Sequence, residues 1–194
     1  MNKEIVVKCQ TDNEYSTISS NQCSWCAAEF IKHKRELRNL FISNETKFIE
    51  LYNKCLKDGS EKRKQYNHRL YGENIDNKTL LSQYDDICII MYLTIIKNID
   101  TSFIKILPDD FKQEFYTKKY IILNENYFEN RISDGASFLA SRHGQSFAII
   151  PILQRYLVLD SHIHKAKLMT KEELSNYLVN ENCGHTHITL IKVA

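Results

Sequence analysis

The order of apolar periodicities along the chain predicts an α+β fold, with helices in the first half and an antiparallel sheet in the last third. Two stretches carry that expectation. From Cys23 to about Phe41, Cys26, Ala27, Phe30, Leu37, Leu40 and Phe41 recur at helical spacing with Lys32, Lys34, Arg35 and Arg38 between them, the pattern of a helix with one buried face. From Tyr120 onward the period changes to short runs rich in β-formers, Ser146–Ile150 and Arg155–Leu159 among them. No internal repeat occurs, and five Gly and two Pro leave little room for linkers. One domain over 1–194 is therefore expected.

Taken in order, Ser19, Ser20 and Asn21 offer capping side chains ahead of the Cys23 helix. A second helix is expected from about Glu45 to Lys57, stopping at Gly59. The polar stretch Gly59–Lys78 reads as a helix-loop excursion, and the apolar run Ile87–Ile96 as a buried helix following Asp85-Asp86. Asp110–Lys118 reads as a short helix after Pro108. Tyr120-Ile-Ile-Leu then begins the strands, and a turn over Pro151–Gln154 makes the next two an antiparallel hairpin. Thr170-Lys-Glu-Glu173 is a capping box opening a helix through about Val179, and His187–Val193 is a final strand.

Composition narrows the function classes. Twenty-six basic and 24 acidic residues leave a formal charge of +2, so no polyanionic partner is demanded and nucleic acid is not expected. The cluster Lys62-Arg63-Lys64 reads as a solvated helix face. Ile87–Ile96 is too short to span a bilayer, and Met1–Val7 lacks the long apolar stretch of a secretory signal. Six cysteines without such a signal are expected as reduced thiols in a cytoplasmic compartment.

The residues that carry chemistry lie near both ends. Cys23, in Asn21-Gln22-Cys23-Ser24-Trp25-Cys26, opens a helix, where the dipole and unpaired N–H groups favour thiolate. Asp160 and His162 stand two apart after the apolar run Tyr156–Leu159, so on a strand they would share a face, the carboxylate orienting the imidazole as a base. His143 is a rival base, expected across the hairpin from His162, and Cys26 a rival nucleophile one turn after Cys23. Gln10 is an amide donor for an oxyanion that could approach the thiol from a separate segment. The order of cysteine, then histidine and aspartate on late strands, is that of a papain-type thiol hydrolase.

The set Gln10, Asn21-Gln22-Cys23, Phe147-Ala-Ile-Ile and Leu159-Asp160-Ser161-His162 resembles the viral tegument-type deubiquitinases, papain-fold cysteine proteases found in the large tegument protein of herpesviruses, with related bacterial members. The resemblance implies Cys23 as nucleophile, His162 as base, Asp160 as orienter and Gln10 as oxyanion donor. It implies hydrolysis after the C-terminal glycine of ubiquitin or a ubiquitin-like modifier, without cofactor, by a monomer that takes ubiquitin or its chains as partner. Host cytosol would be its setting if it is a viral or bacterial effector.

Other substrates for the same triad, and acyl transfer in place of hydrolysis, remain open. So does a non-enzymatic module. Cys23-x-x-Cys26 is half of a zinc site, and Cys183, His185 and His187 supply further soft ligands. On a strand those three spread along about 13 Å, so at most two could bind one ion.

Overall fold

A computed structural model of the chain describes residues 3–9, 22–71, 116–122, 136–142, 145–178 and 186–193. Its elements are β1 (Glu4–Val6), α1 (Gln22–Lys32), α2 (Lys34–Ser43), α3 (Glu45–Tyr71), β2 (Tyr116–Ile122), β3 (Ser137–Arg142), β4 (Gln145–Ile152), β5 (Arg155–Leu159), β6 (Lys165–Met169), α4 (Lys171–Leu178) and β7 (Thr186–Val193). The strands form one sheet in the order β1-β6-β5-β4-β3-β7-β2, and each neighbouring pair is antiparallel. Helices followed by an antiparallel sheet is the α+β arrangement that the periodicities predict.

Both faces of the central strands are covered. Ala148, Ile150, Ile152, Leu157 and Leu159 pack with Trp25, Phe30, Phe41, Phe48 and Tyr52 from α1–α3. The alternate residues Phe147, Ile149, Tyr156 and Val158 pack with Leu174 and Leu178 of α4. That is why β4 and β5 read as continuous apolar runs: a strand buried on both faces has no solvent side to mark with polar residues. The β4–β5 register pairs Ile152 with Arg155 and leaves a two-residue turn, Leu153-Gln154. Pro151 belongs to β4 rather than to the turn, opposite Tyr156. There β4 has outrun β3, whose pairing with it reaches Phe138–Ile149, so the missing N–H leaves no gap in that ladder.

Four local expectations are corrected. The Cys23–Phe41 helix is two helices, broken at His33, whose φ of −97° and ψ of 17° depart from helical values. Lys32–Glu36 places no apolar residue where the buried face after Phe30 needs one, and the helix is interrupted there. Gly59 does not stop α3, which runs to Tyr71. It is a contact point instead: a Cβ at Gly59 would lie 2.9 Å from the Cys26 nitrogen and 3.0 Å from the Trp25 carbonyl carbon. Tyr116–Lys118 lies in β2, paired with β7, not in a helix, because Tyr116, Thr117 and Tyr120 suit an edge pairing. Arg63 is 3% exposed, so Lys62-Arg63-Lys64 is not wholly a solvated face. The capping residues 19–21 and the run Ile87–Ile96 lie outside the described residues.

Two termini follow the expected chemistry. Asn44 accepts the Lys47 N–H at 3.0 Å ahead of α3. Thr170 and Glu173 close the capping box reciprocally, Thr170 N–H to Glu173 Oε2 at 2.8 Å and Glu173 N–H to Thr170 Oγ1 at 3.1 Å. Among the described residues no helix is long and apolar enough to cross a membrane.

Gly59→Ala tests the close helix crossing. At an ordinary helical site the change adds roughly 1 kcal/mol of helix propensity; here the added methyl meets backbone, and overpacking of this kind costs about 1–3 kcal/mol. Chemical denaturation should show a less stable protein, and a more stable one would mean the helices are not in contact at Gly59.

Candidate active site

Cys23 is the second residue of α1, and its surroundings come from the strand below. Ser146 lies two residues before Ala148 and so faces α1. Its N–H donates to the Cys23 sulfur at 3.4 Å, and its hydroxyl stands 2.7 Å from that of Ser24. Burial pushes the Cys23 thiol up; the Ser146 N–H pulls it down, the Asp160 charge pushes it up, and the Ser24 hydroxyl and N–H pull it down. The balance is upward, opposite to what a helix start alone implies, because burial outweighs the local donors. In the resting site the sulfur keeps its proton, and forming the thiolate requires a base.

Asp160 and His162 lie side by side, but on a turn rather than a strand, since β5 ends at Leu159. Ile163 N–H donates to the Asp160 carbonyl at 3.2 Å and closes that turn. Within it Asp160 Oδ1 accepts the His162 backbone N–H at 2.9 Å and stands 3.2 Å from His162 Nδ1. Asp160 continues the Tyr156–Val158 face toward α4, where the Tyr177 hydroxyl donates to Oδ2 at 2.8 Å. On the other side the Tyr52 hydroxyl reaches the Asp160 carbonyl at 3.5 Å. Burial pushes the Asp160 carboxyl up, yet the His162 ring, the His162 N–H and the Tyr177 hydroxyl outweigh it and hold it below its ordinary value. An ionised carboxylate at Oδ1 makes Nδ1 the protonated ring nitrogen, which leaves Nε2 with the lone pair a base needs.

Cys26 faces α3 instead. Its sulfur lies 3.9 Å from the Leu56 carbonyl, and burial, with neighbouring Cys23 and Cys55, pushes its thiol well above the ordinary value. Gln10 and His143 lie outside the described residues. The chain just before Gln10 runs along the Asp160 turn: Val7 N–H donates to the His164 carbonyl at 3.0 Å, and the Cys9 thiol to the Ser161 carbonyl at 3.1 Å. Of the zinc ligands, Cys183 and His185 are likewise outside the described residues, and His187 sits on β7 opposite Ile121. Among the described residues Glu29, His33 and Asp58 bring ligand atoms within 4.8 Å of one another, but Lys62 already binds Glu29 and Lys54 binds Asp58. Those lysines supply the charge that a cation would bring.

Ser146, Tyr52 and Tyr177 are the neighbours that sequence reasoning missed. The two tyrosines are anchored by packing as well as by their polar tips: Tyr52 stacks on Phe30 at 4.6 Å, and Tyr177 meets Phe147 edge-on at 5.7 Å. Tyr177 follows the capping box by one helical turn, a signal that it sits on a fixed helix but not that it reaches Asp160. An apolar groove of about 890 Å³, lined by Phe41, Ile42, Ile152, Leu153 and Leu168, opens at the hairpin end of β4 and β5, the end opposite Asp160.

No protein-family model matches the chain, and no curated protein matches it by sequence. Solved structures do resemble it. The Pseudomonas avirulence protein AvrPphB superposes with a TM-score of 0.51 at 14% identity, covering 93% of this chain and 98% of its own. The ubiquitin-specific protease of murine cytomegalovirus tegument protein M48, solved with a ubiquitin-based suicide substrate, gives 0.49 at 9% identity, over 97% of this chain and 85% of its own. The likeness to the avirulence protein, over nearly all of both chains, is one of fold: α+β and papain-like, with N-terminal helices packed on a C-terminal antiparallel sheet.

Proposed function

We propose that this chain is a single papain-like thiol hydrolase domain that cleaves peptide or isopeptide bonds after the C-terminal glycine of ubiquitin or a ubiquitin-like modifier. The carrying observation is the Asp160–His162 pair on its turn, with a helix-start cysteine whose field Asp160 reaches. In this reading His162 Nε2 takes the Cys23 proton and the thiolate adds to the scissile carbonyl carbon. The Cys23 backbone N–H, in the first turn of α1, and the Gln10 amide hold the oxyanion. His162 then protonates the leaving amine, and a water that it deprotonates converts the thioester to carboxylate and free thiol. Asp160 holds the tautomer and the imidazolium, and Tyr177 holds Asp160. Ubiquitin as substrate comes from the resemblance to tegument-type deubiquitinases. Free thiols at Cys9, Cys23, Cys26 and Cys55 suit a reducing compartment.

The direct test is incubation with a ubiquitin C-terminal electrophile, read by intact mass on the wild type, Cys23→Ala and Cys26→Ala. An adduct lost only with Cys23→Ala is expected. Loss only with Cys26→Ala moves the nucleophile. No adduct on any of the three removes ubiquitin as the substrate.

His162→Ala should lower kcat/KM by about 10²–10⁴-fold, and His143→Ala far less. The reverse ranking would make His143 the base.

Asp160→Asn should lower kcat with little change in KM, because it misorients the base rather than weakening binding. The same variant has a stability signature. A carboxyl held below its unfolded value contributes stability that is present above the unfolded pKa and lost as pH falls through the folded one. Wild type should therefore lose stability more steeply than Asp160→Asn as the pH falls below about 4. Parallel curves would mean that Asp160 is not held by its neighbours in solution.

A further inference from the structure

Arg63 stands out from the basic run that contains it. Lys64 is exposed and Lys62 reaches the buried Glu29 carboxylate, whereas the Arg63 guanidinium is taken almost wholly out of solvent. Burying a charge is costly unless the interior compensates it, so its location matters.

The helix crossing gives that location. α3 runs antiparallel to α1: the Cys55 sulfur lies 3.8 Å from the Glu29 carbonyl, the Cys26 sulfur 3.9 Å from the Leu56 carbonyl, and Gly59 sits against the Cys26 nitrogen. Each turn forward along α3 is a turn backward along α1. Arg63, one turn past Gly59 on the same face, therefore meets the first turn of α1, where Cys23 lies. Among the described residues, charge at the Cys23 sulfur is coupled to Asp160, itself paired with His162 on the β5–β6 turn, to Cys26 from α1 and to Arg63 from α3. Asp160 opposes a thiolate, so a fixed cation near Cys23 has a role that the hydrogen-bond donors alone do not fill.

We infer that Arg63 is a positioning residue for the nucleophile, a buried, permanently charged guanidinium that stabilises the Cys23 thiolate left when the base removes its proton. The inference rests on Cys23 being the nucleophile. It differs from a helix-dipole account in placing the main countercharge on a neighbouring helix. Burial pushes the Arg63 guanidinium down to about 10 and the Cys23 charge pushes it back up; it is therefore a cation throughout the neutral range.

The test is the pH dependence of Cys23 alkylation by iodoacetamide, read on the Cys23 peptide by mass spectrometry, in wild type, Arg63→Met and Arg63→Lys. Met keeps much of the volume without charge, and Lys keeps the charge. Arg63→Met should move the profile upward by about one pH unit, a roughly tenfold slower reaction at neutral pH; Arg63→Lys should stay within about threefold of wild type. An Arg63→Met profile superimposed on wild type overturns the inference. So does an Arg63→Lys profile equal to that of Arg63→Met, which would make the role one of shape. If Arg63→Met does not fold, Arg63→Gln replaces it with the same two outcomes. No ubiquitin enters this measurement. A failed ubiquitin adduct with a shifted profile therefore removes the substrate and keeps Arg63, whereas an intact adduct with an unshifted profile does the reverse.

Discussion

The first turn of α1 is held between two surfaces, and the site depends on that confinement. Below it, Ser146 at the start of β4 gives its N–H to the Cys23 sulfur and shares a hydroxyl–hydroxyl hydrogen bond with Ser24. Behind it, α3 approaches so closely that only glycine fits at position 59. A helix pressed against backbone on one side and hydrogen-bonded to a strand on the other cannot rotate without losing both contacts. Cys23 therefore faces the sheet and Cys26 faces α3, although they are a single turn apart. Packing thus gives the two cysteines different surroundings.

Confinement also sets the electrostatics. Taking Cys23 out of water favours its thiol, while the hydrogen bonds converging on Asp160 keep that neighbouring carboxyl ionised. Two environments a few residues from the ends of their elements push an acid and a thiol in opposite directions. The support for Asp160 comes from both layers of the fold: Tyr177 on α4 holds the carboxylate and Tyr52 on α3 reaches the carbonyl. The seven-stranded sheet between them keeps the two layers in register.

Features written locally in the chain were legible. The capping box at Thr170–Glu173, the hairpin strands Ser146–Ile150 and Arg155–Leu159, and the nearness of Asp160 to His162 all appear in the structure. The last arises for a different reason, a turn that folds the His162 N–H back onto its own aspartate. Features set by partners distant in sequence were not legible. Gly59 has the signature of a helix stop, but what it avoids is a clash with Trp25 and Cys26. Arg63 looks like its lysine neighbours in sequence, yet it is buried on α3 near Cys23 of α1. Tyr177 has no sequence neighbour that identifies Asp160 as its target. In each case the deciding contact spans more than fifteen residues, beyond the reach of periodicity or capping rules.

In the proposed mechanism Cys23 and His162 act on one proton. The most direct measurement is the ultraviolet titration of the Cys23 thiolate, taken as the absorbance lost on Cys23→Ala, in wild type and in His162→Ala. A shared proton predicts that removing the imidazole moves thiolate formation to higher pH, since a buried thiol beside Asp160 then has no imidazolium to face. Superimposable curves would contradict the account, leaving Cys23 a buried core cysteine and His162 a turn residue paired only with Asp160.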